Sequence, residues 1–144
     1  MTVIDTTKPR SAGKPSSIVQ YARYAYLLST VLFMGGVVLQ VFFAGATLLV
    51  DSAYLVQHRS FAHTLELLTF VMPIAGLFAR LPWKLRLLSF LPLVLFMLQY
   101  VFVYGVPALG LPVSLRALHA VNALVIFGVT LHLTKSAWRL ARTP

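Results

Sequence analysis

LQVFFAG, Leu39 to Gly45, returns as LQYVFVYG, Leu98 to Gly105, and a histidine follows each copy. Glutamine and histidine are 23 residues apart in the first copy, Gln40 to His63, and 20 in the second, Gln99 to His119. Each copy reads as one apolar helix, a connection, and a second helix with a histidine near its start. Two such pairs in tandem predict an all-α four-helix bundle with two parallel repeats, related by an axis near the membrane normal.

The medium follows from composition. Of 144 residues, 59% are hydrophobic and only 10% charged, and mean hydropathy is +0.85. Soluble domains average about 25% charged residues, so the solvent for this chain is expected to be a lipid bilayer. The length allows one domain over residues 23–140, preceded by a polar tail over 1–22. Four spans of about 20 residues fill that domain, at about 24–49, 61–78, 87–104 and 115–133. Gly35 and Gly36 mark a close helix contact or a bend in the first span. Pro73 and Pro92 are expected to bend the second and third. The stretch ARLPWKLR, Ala79 to Arg86, is the turn between the halves. There is no cysteine, so disulfides and thiolate ligation are excluded.

The net charge of +9 would suit nucleic acid, but its distribution does not. Lys8, Arg10, Lys14 and Arg23 open the chain, Arg80, Lys84 and Arg86 lie between the halves, and Lys135, Arg139 and Arg142 close it. Those segments share one side of a four-span protein. The other side carries Asp51, Arg59 and Arg116. The positive-inside rule then predicts a multi-pass plasma-membrane protein with both termini cytoplasmic and no nucleic-acid partner.

The candidate site grows from His63 and His119. Neutral imidazoles ligate transition metals, and a haem takes axial ligands from both sides of its plane. If the second and fourth spans face each other across the bundle, these two rings can share one iron. Ala62, Ala117, Ala120 and Ala123 leave room beside them. Glu66 and Asn122 each lie three residues beyond a histidine, on the same helix face. Glu66 is the one acid expected inside a span, free to orient an imidazole, bond Asn122 or move protons. Arg59 and Arg116 are set at the outer rim to pair with propionates or to snorkel towards headgroups. Gln40 and Gln99 are candidate bonds to a histidine or to a porphyrin edge, or interhelical glue. His132 is 13 residues beyond His119, about 20 Å deeper on a helix. The second span offers Ala75, Gly76 and Leu77 at that depth, so one haem per chain is expected, with His132 near a quinone or a lipid head. His58 is placed in the outer connection, as an alternative ligand should the second span begin earlier.

The stretch LQYVFVYG…LRALHAVNALVIFGVTLHL resembles the second helical pair of a four-helix half of haem A synthase, and LQVFFAG…HRSFAHTLELL resembles the first pair. The resemblance implies a histidine on the second helix and one on the fourth around a single haem b, here His63 and His119. Haem A synthase has two halves and an outer-loop cysteine pair; this chain has one half and no cysteine, so synthase activity is not carried over. Dimerisation could rebuild an eight-helix body. The chain also resembles a bacterial family of small four-helix membrane proteins without assigned activity, most distinctly at HAVNAL, His119 to Leu124. The expected function is electron transfer through a bis-histidine haem b, with a quinone or a larger redox complex as partner. The alternatives are an accessory subunit of a membrane complex, or a protein that handles or senses haem.

Overall fold

The computed structural model describes residues 16–142, and these are helical throughout, without a strand. Four helices among them are long and apolar enough to cross a membrane: Ser17–Leu49, Tyr54–Phe78, Trp83–Ala108 and Val113–Ala141. The shortest has 25 residues, about 38 Å at 1.5 Å per residue, against a hydrocarbon core of about 30 Å. The first two are α1 (Ser17–Leu49) and α2 (Tyr54–Phe78). The third is composite. A short α3 (Trp83–Leu88) breaks at Ser89 and Phe90, and α4 (Leu91–Tyr100) then passes through a π turn (Val101–Gly105) into α5 (Val106–Ala108). Pro92 lies in the first turn of α4, where its missing N–H costs no intrahelical bond. The expected bend is therefore a break just before the proline. The fourth opens as a 3₁₀ turn (Val113–Ala117) and continues as α6 (Leu118–Ala141).

Helix ends depart from the sequence expectation in an instructive way. Residues 17–22, assigned to the polar tail, are helical; the rest of that tail, residues 1–15, lies outside the described residues. At the other end α6 runs to Ala141 instead of stopping near 133. One clasp accounts for both extensions. Gln20 Nε2 donates to the Ala141 carbonyl at 2.8 Å and Arg23 Nη1 to the Leu140 carbonyl at 3.1 Å. The first turns of α1 thus satisfy carbonyls that end α6 without intrahelical partners. The end of the bundle where the described chain enters and leaves is called proximal below, and the other end distal.

The turns at the two ends use one device. At the distal end, Leu111 N–H reaches the Val106 carbonyl and Gly110 N–H the Pro107 carbonyl, with Gly110 at φ 65°. This is the left-handed helix stop in which glycine is favoured. At the proximal end, Leu81 N–H reaches Gly76 and Arg80 N–H reaches Leu77, but here Arg80 holds the left-handed position at φ 50°. Leu81 then turns inward and is buried, which is why ARLPWKLR makes so tight a reversal.

Around the bundle the order is α2, α1, α6, α4, with α1 packed closely on α2 and α6. Helices α2 and α6 therefore face each other across one diagonal, as the shared-metal reading requires. The other diagonal closes on itself. Phe33 of α1 meets Phe96 of α4 with ring centroids 6.3 Å apart, and Tyr26 and Ser89 share a 2.7 Å hydrogen bond. Of the two adjacent glycines, only Gly36 makes the close contact. A Cβ there would collide with Leu65 of α2, whereas Gly35 faces open space.

Candidate functional site

A cleft of about 620 Å³ opens in the distal half, walled by all four crossing helices. A volume of this order is ordinary for a cofactor or small-ligand site, commonly about 300–1,000 Å³. The two copies of the opening motif form walls on one diagonal: Gln40, Val41 and Ala44 from α1, and Gln99, Tyr100, Val103 and Tyr104 from α4 and its π turn. The wider turn, of a kind frequent at functional sites, leaves Tyr100 and Tyr104 stacked at 6.2 Å. The other diagonal contributes histidines.

The histidine that meets His119 is His58. Their ring centroids are 6.2 Å apart, with the ring planes at 64°. Helix α2 starts at Tyr54, so His58 is on its second turn and not in a connection. Just before that start, Asp51 Oδ1 accepts the Ala53 N–H at 2.7 Å. His63 also lines the cleft, but at its margin. Its side chain is 73% exposed, and its nearest charged neighbour is Glu66, with Nδ1 to Oε2 at 3.8 Å. Five residues along a helix rotate His63 well away from the face that His58 presents. The structure therefore pairs His119 with His58 where the sequence suggested His63.

The His58 ring is held from behind. Its Nδ1 donates to the Gln40 carbonyl at 3.1 Å, and the Gln40 amide returns a bond to the His58 carbonyl at 3.1 Å. A carbonyl only accepts, so Nδ1 carries a hydrogen, and in the neutral ring the lone pair is on Nε2. Metal-ligating histidines are commonly fixed this way, the second nitrogen bonded to a carbonyl or a carboxylate. His119 lies beside the Gln99 main chain, but its Nδ1 is buried short of a well-formed hydrogen bond. Oε1 of Gln40 and Oε1 of Gln99 are likewise buried without a partner. Three orphaned polar atoms thus belong to residues lining one cleft, where each unmet bond costs about 1–3 kcal/mol.

Arg59 and Arg116 also line the cleft, and both are exposed. Asp51 and Glu66 are the carboxylate side chains among the described residues, and neither pairs with these arginines. Glu66 accepts a hydrogen bond from Tyr100 at 2.9 Å, tying α2 to α4 across the cleft wall. It does not bond Asn122. That residue is buried outside the cleft lining, and its amide donates to the Leu95 carbonyl at 2.7 Å, holding α6 to α4. Among the named candidates, Gln40, Gln99, Arg59, Arg116, His63 and His119 converge on the cleft. Glu66 stands behind its wall, and Asn122 serves the bundle.

Sequence reasoning missed Tyr100 and Tyr104, and kept His58 only as an alternative ligand. The signal for His58 was present: Asp51-Ser52 is a helix-start pattern, and reading it so places His58 on the helix. No comparable pattern marks the tyrosines, since an apolar aromatic run reads equally as lipid-facing.

One family match bears on this chain. Residues 40–106 match the Family of unknown function (DUF6220). The matched stretch, just under half of the chain, begins at Gln40 and takes in His58, His63, Glu66, Gln99 and both cleft tyrosines, but stops before Arg116 and His119. No curated protein and no solved structure matches the chain.

Proposed function

We propose that the distal cleft holds one haem b between His58 and His119 and that the protein transfers electrons through it. The observation that carries this reading is the facing ring pair. An imidazole nitrogen binds a transition metal at about 2.0–2.1 Å, so two rings ligating one ion from opposite sides have centroids roughly 6 Å apart. The spacing across the cleft is 6.2 Å. The surrounding residues fit the same ligand. The bond from His58 to Gln40 fixes the tautomer that ligation needs, apolar walls suit a macrocycle, and the glutamine oxygens await polar partners. Arg59 and Arg116, which lack carboxylate partners, suit propionates.

Iron held by two histidines has no open coordination position, which favours electron transfer over oxygen chemistry. The bound group would supply the one-electron couple; the chain supplies ligands, a low-dielectric surround and positive charge at the rim. A quinone or a larger redox complex in the plasma membrane is the proposed partner, with homodimerisation as a further possibility. The concentration of cations at the proximal end supports cytoplasmic termini.

The test is a visible spectrum of protein purified in mild detergent from haem-replete cells. A Soret band and a sharp reduced α-band are expected. Both are lost in His58→Ala and in His119→Ala, and both are kept in His63→Ala. Retention in His58→Ala with loss in His63→Ala would restore the pairing suggested by sequence. A colourless, folded preparation would overturn the proposal and leave the chain as an accessory subunit.

A further inference from the structure

A second and shallower cavity, of about 640 Å³, lies at the proximal end between α1 and α6. Leu27 and Val31, one turn apart on α1, line one side; His132, Lys135, Trp138 and Arg139 of α6 line the other. His132, Lys135 and Arg139 are spaced i, i+3 and i+7, so they share a helix face. Arg142 adds a further cation, with its guanidinium 5.3 Å from the Trp138 ring centre. Neither described carboxylate is near: Asp51 lies in the distal connection and Glu66 midway along α2. Lys135 makes no hydrogen bond or ion pair among the described residues, and Arg139 only a 3.3 Å bond to Ser136 Oγ.

We infer that this cavity binds the phosphodiester headgroup of one anionic phospholipid, in the leaflet on the side of the chain termini. The phosphate meets Lys135 and Arg139, with His132 beside them. Trp138 sits at headgroup level, where amphipathic rings gather, and the acyl chain runs along Leu27 and Val31. A free phosphate would use only the polar half of the cavity. An amphiphile uses both halves, because the apolar side continues into the outward-facing Leu28 and Leu32 of α1. The other proximal cations are arranged differently. Arg86 is bonded to the Leu81 carbonyl, and Lys84 lies over Trp83; neither lines this cavity.

The test uses the full chain carrying Trp83→Phe, which leaves Trp138 as the single tryptophan. The protein is reconstituted into phosphatidylcholine vesicles with increasing fractions of chain-brominated phosphatidylglycerol or phosphatidylcholine, and Trp138 fluorescence is followed. Quenching by the anionic lipid should saturate at a fraction about tenfold lower. Lys135→Gln with Arg139→Gln should remove most of that preference, whereas Arg80→Gln with Lys84→Gln should leave it intact. Should the double variant not fold, Lys135→Gln alone gives the same reading, since its side chain makes no polar contact among the described residues. Equal quenching by both lipids overturns the assignment, as does an equal loss in the Arg80/Lys84 pair, which would mean general attraction to a basic surface. Displacement of the preference by inorganic phosphate would also overturn it, in favour of a free anion.

Discussion

The two halves of the bundle differ in how closely their helices pack: one is closed and the other open. In the proximal half and the centre, Tyr26 and Ser89 bond each other, Ser89 also bonds the Leu85 carbonyl, and Thr30 and Thr130 return their hydroxyls to their own helices. Phe33, Met72 and Leu133 are completely enclosed there. In the distal half the same four helices stand around an open cleft, with Gln40, Gln99 and His119 each holding a buried polar atom without a partner. Within a bilayer, lipid is as apolar as leucine, so helices associate through packing contacts and hydrogen bonds. Concentrating the packing contacts at one end and at the core frees the other end to stay open.

Six substitutions sharpen or break that contrast, each read as unfolding free energy in mild detergent titrated with a denaturing one. The largest effect is expected from Phe33→Ala, which empties the packed centre and should cost about 3–5 kcal/mol. Tyr104→Ala, a comparable truncation at the exposed cleft wall, should cost below about 1 kcal/mol; equal costs would abolish the contrast. Gly36→Val should cost about 1–3 kcal/mol, because its side chain must displace Leu65 at the closest approach of α1 and α2. Gly35→Val, facing open space, is its control. Arg80→Gly should stabilise by about 1–2 kcal/mol by relieving a left-handed backbone at a residue with a Cβ; destabilisation would mean that the arginine side chain matters more than its backbone. The smallest change is expected from Gln40→Leu, which gives up one interhelical bond of about 0.6 kcal/mol but also removes the unpartnered Oε1. The same variant keeps the main-chain carbonyl that accepts the His58 Nδ1–H, so a bound metal group should stay in place; its loss with little change in stability would mean that the glutamine side chain itself contacts the group.

The legible and illegible parts of this chain differ for physical reasons. Four long apolar runs specify crossing helices, because no other arrangement satisfies the backbone of so greasy a segment in lipid. The motif pair and the rim arginines were equally visible, and all line the cleft. Which histidine faces His119 was not, because one helix start misplaced by a few residues moves His58 from a connection onto the facing surface. The partner of Glu66 was hidden too. A carboxylate three residues after a histidine suggests a bond within the helix, but a tyrosine 34 positions away takes the closer place. Asn122 has the spacing of a site residue and spends its amide on a carbonyl of the neighbouring helix.

Composition and order alone determined the number of crossings, the small size of the connections, the uneven placement of positive charge and the residue types available to a site. The tertiary arrangement decided which diagonal closes through Phe33 and Phe96, and that the rings of His58 and His119 meet with centroids 6.2 Å apart. Helix rotation is the reason. Each residue turns its side chain by about 100°, so facing partners depend on how neighbouring helices lock, as Gly36 locks under Leu65, and no local pattern encodes that angle.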